Sequence, residues 1–322
     1  MQCSVYQECV KRKERGGFMD NGKMESNKYS EQTKTEAEKR GCELCGQLGV
    51  GATASVYRMK EKVTGKLYAC KISDKKEWLR LESELLQSLH HPLFPGWKDY
   101  WETEDQGCLI MEYIEGDSLQ KHLDRRGRFS REETIRVALE IADGLGYLHA
   151  RTPSVVYRDL KPSNLIVQPD GRIRLLDVGA AAIPDGWKAG TPGYASPEQL
   201  ISREAVGKSR LRPTSDIYAI GMVMHYMLTG INPCKAAQEF LPVSSYDPDV
   251  LWGLDDIIWR CTRPKPEERI PDMRALIHEL GAYYNKSRLQ IARQELGFLL
   301  GKRKKQVIYE KDVWESRYKA DC

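Results

Sequence analysis

No apolar run in this 322-residue sequence is long enough to cross a bilayer. The longest, Ile217 to Leu228, falls short of the ~20 residues a spanning helix needs and contains His225, so it reads as a buried core helix. The start, MQCSVYQECVKRKERGG, lacks an apolar h-region, and no secretory signal is expected. Charge of one sign is not in excess: 50 Lys+Arg against 46 Asp+Glu leave a net +4, too little for a dedicated nucleic-acid binder. Nine cysteines make an odd set without a framework spacing, which excludes a disulfide scaffold and predicts free thiols in a reducing cytoplasm. Cys42 and Cys45 stand as Cys-x-x-Cys, but no second pair or histidines follow nearby, so they read as small side chains on a strand rather than a zinc or redox site. Internal repeats and low-complexity tracts are absent too.

What is present is ordinary for a chain with a sizeable core: 41% apolar and 9% aromatic residues. Residues 1–40 are rich in Lys, Glu, Gln, Ser and Asn, with few large apolar side chains, and are expected to be mostly disordered. From Cys42, strand-like runs appear (CELCGQL, ASVYRMK, LYACKIS, WKDYWET, CLIMEYI), each bounded by turn residues. One helical pattern interrupts them, with Trp78, Leu81, Leu85, Leu86 and Leu89 at helical spacing. After Gly116 the pattern is mainly helical, as in REETIRVALEIADGLGYLHA, with Ile135, Leu139, Ala142 and Leu145 on one face. This predicts an α+β chain of two lobes within 41–285: a small antiparallel β-sheet lobe with one helix (about 41–113) and a larger, mainly helical lobe (about 114–285). Residues 286–322 form an amphipathic, basic tail. Its stripe of Leu289, Ala292, Leu296 and Leu299 ahead of Lys302-Arg303-Lys304-Lys305 suits docking on the large lobe, with weak membrane-surface or partner contact as the alternative.

Several segments carry chemistry. Leu48-Gly49-Val50-Gly51-Ala52-Thr53-Ala54-Ser55-Val56 is a glycine-rich turn between two strand runs, able to bring backbone N–H groups against phosphate oxygens. By itself it could equally be a plain hairpin. Lys71 ends an otherwise uncharged run, Tyr68-Ala69-Cys70, and gains meaning only beside a phosphate loop and a carboxylate. Glu82 and Glu84 on the following helix both offer one. Glu82 is favoured because Leu81, Leu85 and Leu89 put the apolar face beside it. In Val156-Tyr157-Arg158-Asp159-Leu160-Lys161-Pro162-Ser163-Asn164 an aspartate, a lysine and an asparagine precede an apolar strand. Phosphoryl transfer wants this set: a carboxylate to take the proton of an attacking hydroxyl, a lysine beside the moving phosphoryl, an amide oxygen for a metal. Leu176-Asp177-Val178-Gly179 ends a further strand with a second candidate metal carboxylate.

With Gly190-Thr191-Pro192-Gly193-Tyr194-Ala195-Ser196-Pro197-Glu198 and Asp216-Ile217-Tyr218-Ala219-Ile220-Gly221 in order behind these, the chain resembles the protein kinase superfamily, and in particular the bacterial eukaryotic-like serine/threonine kinases. That resemblance implies the two-lobed protein-kinase fold, ATP and Mg2+ as cofactors, and protein serine or threonine hydroxyls as acceptors. It implies an ion pair between Lys71 and Glu82, Asp159 as catalytic base with Lys161 beside it, and Asn164 and Asp177 as Mg2+ ligands. Met111 looks like the gatekeeper, with Glu112 to Ile114 as the hinge that meets adenine, and Asp117 lies where such kinases contact the ribose. Glu198 resembles the glutamate that pairs with a late arginine, here Arg269, and Asp216 the aspartate that anchors the catalytic loop. Three positions depart from the pattern: Ala54 for glycine, Tyr157 for histidine and Val178 for phenylalanine. None removes a charge the reaction needs. Between Gly179 and Gly190 there is no Ser, Thr or Tyr to phosphorylate, so Arg158 is expected to meet Asp185, or the loop to be ordered by Ile183 and Trp187.

Overall fold

The computed structural model describes residues 29–51, 53–183, 190–200, 211–235, 241–246 and 252–285. Strands β1 (Cys42–Val50), β2 (Ser55–Glu61), β3 (Leu67–Ser73), β4 (Trp97–Glu102) and β5 (Gly107–Glu112) form one antiparallel sheet in the order β1-β2-β3-β5-β4. β3 is central, and Tyr68 to Ser73 are all buried. Alternation along it sends Tyr68, Cys70 and Ile72 to a core on the sheet's outer face and Ala69 to the core on the other, which runs on into the large lobe.

Helix α1 (Glu31–Lys39) covers the outer face. The expectation of disorder up to residue 40 therefore fails for residues 29–40, where α1 adds a second helix ahead of the expected boundary at 41. The physical reason is that α1 buries small side chains, Thr33 and Ala37, which composition does not register. Its ends are tied instead. Ser30 caps it, Gln106 of the β4–β5 turn accepts from Ser30 N (2.9 Å) and Thr33 Oγ1 (2.9 Å), and Arg40 pairs with Asp99 at 2.8 Å while lying over the Trp101 ring.

Helix α2 (Lys76–Gln87) buries Leu79, Glu82, Ser83 and Leu86 against the sheet's inner face. Trp97 Nε1 donates to Ser83 Oγ (2.8 Å), Arg80 pairs with Glu102 (2.7 Å), and Lys76 reaches the carbonyls of Thr103 and Glu104. Beyond β5 come β6 (Asp117–Ser118), α3 (Leu119–Arg126) and α4 (Arg131–His149). The Arg-Glu-Glu start of α4 is a capping box, Ser130 accepting from Glu133 N while Glu133 accepts from Ser130 N. α4 is buried on far more than one stripe, and Gly144 is why it packs so close: a Cβ there would lie 2.2 Å from Leu93 Cδ2.

A hairpin of β7 (Leu165–Val167) and β8 (Ile173–Leu175) pairs with β6. Short helices α5 (Gly179–Ala182) and α6 (Pro197–Leu200) follow, then α7 (Pro213–Thr229) and α8 (Trp252–Cys261). Residues 273–285 are helical as well. α7 is the apolar run of the sequence, buried on nearly every side, as expected for a core helix.

His225 on α7 donates from Nε2 to the Leu241 carbonyl at 2.8 Å. Burial lowers its pKa from 6.5 to about 4, the carbonyl offsetting part of the shift. The unfolded chain therefore binds the proton first, so stability is full above pH 6.5 and is lost as pH falls toward 4. At pH 5 this single group costs about 2 kcal/mol relative to neutrality. Thermal unfolding followed from pH 7 to 5 is expected to show that slope, and His225→Gln to flatten it. An equal slope in the variant would contradict the assignment.

Candidate active site

β1 and β2 carry the glycine-rich segment. Leu48 and Val50 are exposed at the end of β1, Ser55 and Val56 open β2, and Gly51 N donates to the Ala54 carbonyl (2.8 Å) to close the turn through Thr53. Ala54 is itself buried, and Ala52 lies outside the described residues.

Because Lys71 pairs in register with Val56 on β2 and Leu109 on β5, it sits at the middle of the sheet on the face covered by α2. Its Nζ lies 2.7 and 2.8 Å from the two Glu82 carboxylate oxygens and 3.0 Å from Asp177 Oδ1. Glu82 is thus the partner, though not for the reason the spacing gave. The buried stripe of α2 is Leu79-Glu82-Ser83-Leu86, while Trp78, Leu81 and Leu85 are half-buried and Glu84 is exposed. Burial pushes the Glu82 carboxyl up to about 7, Lys71 drawing it back and Asp177 adding to the rise. Burial would lower the Lys71 ammonium, but the two carboxylates outweigh it and hold it above its usual range. For Asp177 burial acts upward and is overcome by Lys71 and the Gly179 N–H (2.9 Å), so its pKa is lowered.

The β7–β8 hairpin brings the other half together. Asn164 ends a 3-10 turn directly before β7, Asp177 follows β8, and Leu176 N donates to the Asn164 carbonyl at 3.0 Å. Asn164 Nδ2 donates to the Asp159 carbonyl (2.9 Å) and to Asp159 Oδ2 (3.2 Å). Lys161 Nζ contacts Asp159 Oδ2 at 2.7 Å. Thr191 Oγ1 lies 2.8 Å from Asp159 Oδ1, to which it donates, and 2.8 Å from Lys161 Nζ, from which it accepts. The hydroxyl of Thr191 therefore bonds one oxygen of the Asp159 carboxylate, while Lys161 and Asn164 meet the other. Spacing along the chain gave no sign of this contact, because Thr191 and Asp159 are 32 residues apart.

The loop is fixed from behind. Asp216 accepts from Tyr157 N (2.7 Å) and Arg158 N (2.9 Å), as the resemblance implied. A second anchor was not anticipated: His149 Nε2 lies 2.8 Å from Asp216 Oδ2. Tyr157 and Val178, the two departures in the large lobe, are both buried in one core with Leu86, so they hold packing positions. Glu198 pairs with Arg269 through both carboxylate oxygens at 2.7 Å.

Met111 is buried at the end of β5 and Ile114 just beyond it. Glu112 accepts from Gly96 N (3.0 Å) and from Arg174 of β8 (2.6 Å), so the segment between the lobes is tied to both. Asp117 is held by Arg125 (2.7 Å) and Lys121 (3.3 Å) on α3. Arg158 Nη1 donates to the Ile183 carbonyl at 2.9 Å; Asp185 and Trp187 lie outside the described residues.

Asp177 and Asn164 supply a carboxylate and an amide, the hard oxygen donors that suit Mg2+, on adjacent ends of one hairpin. Comparison with known proteins agrees with this geometry. The family model described as "Protein kinase domain" matches residues 42–295, running past the boundary expected at 285. Sperm motility kinase 2A of Mus musculus is 32% identical over 204 residues, covering 61% of this chain and 39% of that protein. RAC-beta serine/threonine-protein kinase of Homo sapiens is 36% identical over 200 residues (58% and 40%). Calcium/calmodulin-dependent protein kinase type IV of Homo sapiens is 29% identical over 259 residues (73% and 53%). The chain thus spans about half, or less, of the length of these relatives. The chain belongs to the protein kinase domain family.

Proposed function

We propose that this chain is a serine/threonine protein kinase that transfers the γ-phosphoryl of ATP to protein hydroxyls. The observation that carries the reading is the mutual hydrogen bonding of Asp159, Lys161, Asn164 and Thr191, beside a Lys71–Glu82–Asp177 cluster. In this reading Asp159 orients the acceptor hydroxyl and takes its proton, and Lys161 stands at the moving phosphoryl. Lys71, fixed by Glu82, meets the α- and β-phosphates, the Leu48–Val56 turn covers them, and Glu112 to Ile114 meet adenine with Asp117 near the ribose. Asn164 and Asp177 would hold Mg2+, which would supply charge neutralisation to the phosphates.

Relatives named as serine/threonine-protein kinases support the acceptor class. The likeness to the bacterial eukaryotic-like group rests on the motifs alone, and the animal relatives give it no support. A cytoplasmic location belongs to the same proposal and rests on the sequence, whose nine cysteines have no framework spacing. Among the described residues no helix is long and apolar enough to cross a membrane. The tail from Leu289 to Lys305, with its docking or membrane contact, lies outside the described residues. Calorimetric titration with ATP tests the site. Mg2+ is expected to tighten binding to the wild type by roughly tenfold or more, and Asp177→Asn to remove most of that gain. Equal Mg2+ dependence in the variant would overturn the metal assignment.

A further inference from the structure

Arg158 has φ 74°, and among the described residues it is the one non-glycine residue in the left-handed region. It stands directly before Asp159, so the Asp159 side chain is aimed by a peptide that an L residue rarely tolerates. Such a conformation persists only when its surroundings over-determine it. The N–H side is held by Asp216, which accepts from both Tyr157 N and Arg158 N. The carbonyl side is held by a different residue. Gln199 on α6 is buried, and its Nε2 donates to the Arg158 carbonyl at 2.9 Å. The other end of the same amide, Oε1, accepts from Ser196 N and Ser196 Oγ, both at 3.0 Å. Gly190 packs against this bond: a Cβ there would lie 3.1 Å from Gln199 Nε2 and 3.3 Å from the Arg158 carbonyl oxygen. Its φ of 118° also favours glycine.

We propose that Gln199 is a positioning residue for the phosphoryl-transfer step, pinning the carbonyl of the strained peptide before Asp159 to the Gly190–Ser196 segment. The inference rests on the reading of Asp159 as the base. One planar amide satisfies a donor requirement on the catalytic loop and an acceptor requirement on the segment that carries Thr191. A shift in either segment is thereby felt by the other, and the direction of the Asp159 carboxylate depends on both.

The experiment compares wild type with Gln199→Leu, Gln199→Glu and Asp159→Asn. It reads kcat and KM for a generic peptide acceptor and for ATP from pH 6 to 8.5, together with Tm. Gln199→Leu is expected to lower kcat about tenfold, on the scale of one interior hydrogen bond, with KM for ATP unchanged. Gln199→Glu keeps the shape and the acceptor. Its carboxylate repels the Arg158 carbonyl, whereas its protonated form donates to it, and burial favours that form. Its kcat relative to wild type is therefore expected to climb as pH falls, a response that packing alone would not give. A Gln199→Leu enzyme within twofold of wild type, or a flat ratio for Gln199→Glu across the pH range, would overturn the proposal. If Gln199→Leu does not fold, the Glu ratio decides alone. If Asp159→Asn keeps its activity, the reading of the base is what fails, and this inference falls with it.

Discussion

Asp159→Asn is expected to transfer phosphate roughly 10²–10⁴-fold more slowly than wild type while binding ATP almost unchanged. The substitution keeps the size of the side chain and one acceptor oxygen for Lys161, Thr191 or Asn164, all now within 3.2 Å. It removes the ability to accept a proton. The groups assigned to ATP stand on other elements: Lys71 on β3, Glu82 on α2 and Asp177 after β8. Binding and chemistry should therefore separate. Titration with ATP alongside single-turnover transfer measures both, and an Asn variant with near wild-type turnover would contradict the assignment.

Arg269→Met is expected to destabilise the large lobe by roughly 3–5 kcal/mol, the cost of leaving half of a buried ion pair unpartnered. The Arg269 side chain has no exposed surface. Nη1 and Nη2 each bond one Glu198 oxygen and one carbonyl (Thr214 and Pro264), and Nε bonds the Arg263 carbonyl. Removal thus leaves a carboxylate and three carbonyls short of a donor. Burial raises the Glu198 pKa, and Arg269 more than reverses this, so the carboxyl is held below its usual range. A fall in Tm of about 10 °C is expected in a melting experiment. Arg269→Lys should recover only part of it, because an ammonium cannot reproduce the planar fork. A variant melting within about 2 °C of wild type would show that the lobe does not depend on this bridge.

Legibility in the sequence followed the kind of signal each residue carries. The Asp159 to Asn164 loop and Asp177 are local patterns flanking short apolar strands, and the hairpin of those strands brings them together. Glu198 with Arg269 and Asp216 with the loop backbone were legible only through resemblance, since nothing in the spacing pairs residues so far apart. Glu82 was chosen correctly from an apolar stripe displaced from the buried one, because Trp78, Leu81 and Leu85 are large without being the residues that face the sheet. α1 escaped because its contacts are made by Thr33, Ala37 and the capping Ser30, residues typical of disordered composition. Gln199 and the contact of Thr191 with Asp159 escaped for another reason. Each residue acts through hydrogen bonds to residues distant in the sequence, and an amide or a hydroxyl looks the same in a sequence whether it is solvated or holding a catalytic loop.

The most direct test of the account is to incubate the wild-type chain with Mg2+, ATP labelled in the γ-phosphate and a generic protein acceptor, then hydrolyse the product in acid. The account predicts label in phosphoserine and phosphothreonine, lost when Mg2+ is chelated. Label released only as inorganic phosphate, or found only on tyrosine, would contradict it.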